Sequence, residues 1–121
     1  MFVGVLKLTF HIPHARSLKE KRMVVRRFRD RVRARFDVSI AEVEAQDAHQ
    51  RAVFGVSVVS GEASVCDSVL ASVARAAETQ EDAVLTHRAT ELVTIGDELY
   101  DGGREDALPL GDEDDGVEDD E

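Results

Sequence analysis

A two-residue alternation with apolar side chains on both faces occurs twice in this chain, and it restricts the fold more than any other feature. In Phe2–His11, the residues Phe2, Leu6, Leu8 and Phe10 fall on one face, with Gly4 between them. Val3, Val5, Lys7 and Thr9 fall on the other. In Arg51–Ser60, Ala52, Phe54, Val56 and Val58 share one face, and Val53, Gly55, Ser57 and Val59 the other. A strand that is apolar on both sides is covered on both sides, so each stretch is predicted to be a central strand.

The other segments arrange themselves around these two. Ile12-Pro13-His14-Ala15 ends the first strand, because proline cannot continue a ladder. Asp37–Ala45 reads as a further strand whose apolar phase shifts between Ile40 and Ala41; a bulge or a two-sided strand would each explain the shift. The short polar link Gln46–Gln50 then predicts an antiparallel hairpin into Arg51–Ser60. Ala83–Ile95 mixes polar and apolar residues on both faces, the pattern of an edge strand.

Two segments change period from two to 3.6. Arg16–Phe36 places Leu18, Val25, Phe28, Val32 and Phe36 on one stripe, and Ser17 with Glu20 forms a capping box at its start. Gly61 to about Thr79 carries a second stripe of Val65, Val69, Leu70, Val73, Ala76 and Ala77. The order is strand, helix, strand, strand, helix, strand. With right-handed crossovers this is an α+β, ferredoxin-like βαββαβ domain over residues 1–95, a four-stranded antiparallel sheet with two helices on one face. The other sheet face is left to water or to a partner.

The first helix is unlike the rest of the protein. Residues 16–36 hold ten Lys or Arg against Glu20 and Asp30, net +8, in a chain of net charge −10. Lys19, Arg22, Arg26, Arg29 and Arg33 line one flank and repel one another. Ordinary charged helices mix signs to gain pairs at i,i+4. A one-signed row is tolerable when phosphates neutralise it. Residues 96–121 are the opposite: thirteen Asp or Glu against Arg104, net −12. That segment is read as a disordered acidic tail able to contact the chain's own basic helix.

Several functions are not expected. No apolar run approaches the roughly 20 residues of a membrane span. The start of the chain lacks a basic leader and a cleavage site, and Cys66 is alone, so a cytoplasmic protein is expected. His11 and His14 are an H-x-x-H pair without the third and fourth ligands a zinc site needs. Glu42, Glu44 and Asp47 read as solvated, and Asp67 beside Cys66 disfavours a thiolate. The sequence contains no asparagine. Acylphosphatases, which share this strand order, need one on the hairpin. RNA-recognition motifs stack bases on strand aromatics, but Phe2, Phe10 and Phe54 read as core. Neither an enzyme nor a cofactor is expected.

Three blocks carry a resemblance. Ser17-Leu18-Lys19-Glu20-Lys21-Arg22 follows the first strand. Arg35-Phe36-Asp37-Val38-Ser39-Ile40-Ala41-Glu42-Val43 leads into the hairpin, and Asp47-Ala48-His49-Gln50-Arg51-Ala52 leaves it. In order and spacing they resemble the bacterial YlxP-like family, from Met1 to about Ile95. Asp37 stands where that family often has asparagine, and His49 where an aromatic is common. The resemblance implies a ferredoxin-like fold. The genes of that family often lie near those of translation initiation factors and ribosome-binding factor A, so it also implies a ribosome or RNA connection by neighbourhood.

Together these readings predict a small non-enzymatic protein that binds ribosomal RNA or a ribosomal subunit, in ribosome maturation or translation. The predicted contacts are Arg16, Lys19, Lys21, Arg22, Arg26, Arg29 and Arg33. The competing class is a protein-interaction module with no nucleic-acid role. The open sheet face, with Val3, Val5, Val53 and Val59, predicts a homodimer.

Overall fold

In the computed structural model, residues 1–96 are described. The acidic tail read at 96–121 lies, after Gly96, outside the described residues. The elements are β1 (Phe2–His11), α1 (Leu18–Arg35), β2 (Ser39–Glu44), β3 (Arg51–Ser60), α2 (Ala63–Glu78) and β4 (Val84–Thr94). The strands form one antiparallel sheet in the order β2-β3-β1-β4. The two strands with two-sided apolar patterns, β1 and β3, are the central pair, and β4 is an edge. This is the ferredoxin-like α+β arrangement.

Both helices pack on the face that carries Leu6, Leu8, Phe10, Phe54 and Val56, all buried. Three rings tie α1 to the central strands. Phe10, Phe28 and Phe54 meet edge to face, with centroids 5.0, 5.8 and 5.1 Å apart. Such edge contacts set the positive rim of one ring against the negative face of the next. Helix α2 comes closer to the sheet because Gly4 has no side chain: a Cβ there would lie 2.8 Å from Leu70 Cδ1 and 3.1 Å from Cys66 Cβ. The buried stripe of α2 runs through Cys66, Leu70, Val73, Ala74 and Ala77. Val65, expected on that stripe, is exposed.

The phase shift in the second strand is a bulge. The β2–β3 register slips between Glu42 and Glu44. Before it, Ile40 and Glu42 pair with the core residues Val56 and Phe54 and so face the helices. After it, Val43 lies over Gly55, where an added Cβ would sit 3.2 Å from Val43 Cγ1.

The open sheet face is less apolar than its strand pattern suggests. Lys7 on β1 pairs with Glu44 on β2 at 3.0 Å. Those two residues lie opposite Gly55 and Val53 of the intervening β3, so the ion pair spans that strand. Val53 is fully buried. This corrects its expected place in an exposed patch; Val5, Val43, Val59, Val84 and Val93 are exposed valines of that face.

Candidate nucleic-acid interface

Helix α1 begins as its sequence requires. The Ser17 hydroxyl accepts the amide of Glu20 at 3.1 Å, and the Glu20 carboxylate accepts the amide of Arg16 at 2.7 Å. The return contact reaches one residue before the cap, a small variation on the capping box. At the other end the Phe36 amide donates to Val32, and Arg33 and Arg35 sit in the last turn, where the helix dipole favours cations.

The two flanks of α1 are used differently. The flank toward α2 is tied into the fold. Arg31 donates to the Ala76 carbonyl at 3.2 Å, Gln80 Oε1 at 2.9 Å and Thr79 Oγ1 at 2.7 Å, closing off the end of α2. Arg27 pairs with Asp82 beside it. These groups line a cleft of about 380 Å³ whose arginines already have partners.

The flank toward β2 is turned outward. At 100° per residue, Lys19, Arg22, Arg26, Arg29 and Arg33 fall within an arc of about 80° and span about 21 Å along the axis. Lys19, Arg22 and Arg26 are exposed, and none of them joins an ion pair among the described residues. Arg33 is exposed and donates to the Ile40 carbonyl at 3.2 Å, which anchors the row at the β2 edge. Arg29 is half-buried; its Nε is 3.6 Å from Asp30. Arg16 is exposed beside the helix start.

Lys21 is not part of this surface. Its side chain is 2% exposed, and its ammonium lies 2.7 Å from Glu42 Oε2. It donates to the carbonyls of Ala45 at 2.5 Å and Ala48 at 2.7 Å. The reason is helical phase: Lys21 precedes Val25, Phe28 and Val32 by four, seven and eleven residues, so it shares their buried stripe. Its place among the RNA contacts is therefore corrected to a structural one. It ties α1 to the β2–β3 turn, where Ala45 adopts a left-handed φ of 63°. Gln50 joins the same turn to the loop after β1, donating to the Pro13 and Ala15 carbonyls.

A basic row with this rise can hold successive phosphates of one strand. It offers no aromatic or amide groups with which to read bases. The other groups weighed from sequence do not converge. Among the described residues no three His, Cys, Asp or Glu side chains converge as metal ligands would, and Cys66 is buried with its thiol 3.8 Å from the Phe2 and Val58 carbonyls.

Comparison with known proteins places the fold in a lineage. The profile of the family described as "Protein of unknown function (DUF503)" matches residues 3–90. The chain belongs to the DUF503 family. It is also 45% identical over 58 residues to a protein of Bacillus subtilis (strain 168) described as "Uncharacterized protein YlxP". That match covers 48% of this chain and 63% of the relative. The DUF503 match runs from within β1 to within β4, over both helices and the two strands between them, so the acidic segment lies beyond it.

Proposed function

We propose that this DUF503 protein is a non-enzymatic RNA-binding protein of the ribosome or its assembly, which grips phosphates through the outer flank of α1. The observation that carries the reading is the contrast between the two flanks. Arg27 and Arg31 are engaged by α2 and its following turn, while Lys19, Arg22 and Arg26 are exposed and join no ion pair among the described residues. Holding like charges side by side opposes folding unless a polyanion or counterions neutralise them. Arg29 and Arg33 continue the row, and Arg16 lies beside its start. Structured RNA fits because its phosphates are regularly spaced, and ribosomal RNA is the most abundant structured RNA of a bacterial cell.

Co-sedimentation tests the reading. The protein should travel with ribosomal subunits in extract of its own cells at low salt and leave them at high salt, as counterion release demands. A protein that stays at the top of the gradient at every salt concentration would instead favour the protein-interaction class.

A further inference from the structure

The two edges of the sheet are unequal. Strand β2 has 6 residues and ends in a bulge. Strand β4 has 11, contains no proline, and leaves every residue but Leu85 exposed. Its only irregularity is at Thr86, between the pairs Phe10–Leu85 and Thr9–His87. From His87 to Thr94 it is a regular strand whose outer backbone groups pair with nothing among the described residues. Long regular edges of this kind are ready templates for another strand.

The side chains of β4 select the partner. When a strand pairs antiparallel with its own copy, opposed residues share a sheet face, so the two-fold axis passes at one self-opposed residue. An axis at Arg88 opposes two arginines, and an axis at Glu91 opposes two carboxylates. An axis at Thr90 sets Arg88 against Leu92 and Glu91 against Ala89. An axis at Ala89 sets His87 against the partner's Glu91 twice and Arg88 against the partner's Thr90, with the smallest side chain at the centre. His87 Nδ1 is 3.0 Å from Thr86 Oγ1, which leaves Nε2 for that carboxylate. Of these four registers only the one about Ala89 sets a basic side chain against a carboxylate; Arg88 already has Glu78 of α2 at 3.7 Å.

We propose that a second copy of this chain docks on β4, the two edges pairing antiparallel about Ala89. The two four-stranded sheets become one continuous sheet with all helices on one side. The β2 edges and the basic flanks of α1 lie at its two outer ends, clear of the junction.

Light scattering and cross-linking of the full chain test the proposal. The wild-type protein should run at twice the chain mass at ~100 μM, a concentration suited to a modest interface. Ala89→Asp opposes two carboxylates across the axis and should raise the dimer dissociation constant at least ~10-fold. Ala41→Asp, an exposed position on β2, should not. Ala89→Cys should form a disulfide-linked dimer on mild oxidation, because directly opposed Cα atoms about 5 Å apart are within disulfide reach. Ala41→Cys should not cross-link, and the native Cys66 is buried. A monomeric wild type would overturn the proposal. So would a dimer that survives Ala89→Asp and does not cross-link through Ala89→Cys.

Discussion

The ammonium of Lys21 lies 2.7 Å from Glu42 Oε2, inside the fold and on the same helical stripe as Val25, Phe28 and Val32. The contact joins α1 to the last regular pair of β2, just before the bulge. Two turn carbonyls complete the set of acceptors. A buried pair of this kind adds little over an apolar substitute, but removing one partner strands the other.

Lys21→Met should therefore lower unfolding stability by about 3 kcal/mol, since it leaves the Glu42 carboxylate and two carbonyls without a donor. Adding Glu42→Gln should cost less in that background than in the wild type, the non-additivity expected of contacting groups. Urea denaturation of the four proteins measures both effects. The folded Lys21→Met protein should bind RNA as the wild type does, because its ammonium never reaches the surface.

Gly4→Val should destabilise by about 1–3 kcal/mol through overpacking. The new side chain would meet Cys66 Cβ at 3.1 Å as well as the more yielding end of Leu70. A thermal melt of the variant checks it. Gly61→Ala, where an added Cβ meets nothing within 4 Å, is the control and should leave the melting temperature nearly unchanged.

How much was legible depended on whether a residue acts through period or through a contact made across elements. The central places of β1 and β3 follow from apolar residues on both of their faces, a pattern local to each strand. The outward row on α1 was legible for the same reason. Lys21 was not separated from it, because its basic side chain resembles its neighbours; the available signal was its phase with Val25, Phe28 and Val32. Val53 looked exposed because only the register shows the Lys7–Glu44 pair crossing β3. On α2, Val65 and Cys66 compete for one stripe, and Gly4 decides the matter by letting Cys66 against the sheet.

The acidic segment should compete with RNA for the outer flank of α1. Residues 96–121 carry −12, and 26 residues can extend about 90 Å, far beyond the width of a four-stranded sheet. Deleting them should tighten RNA binding, most at low salt, because both contacts are ionic. Titration of the full-length and shortened proteins with one ribosomal RNA fragment checks this, and equal affinities at low salt would remove the competition.

The salt dependence of RNA binding tests the central claim most directly. A flank that holds about four phosphates predicts that log K falls with log salt at a slope of about −3 to −4. Replacing Lys19, Arg22 and Arg26 together by Gln should reduce that slope by about 2–3 while leaving the fold intact, since all three side chains are exposed. An unchanged slope in the triple variant, or binding indifferent to salt in the wild type, would contradict the account.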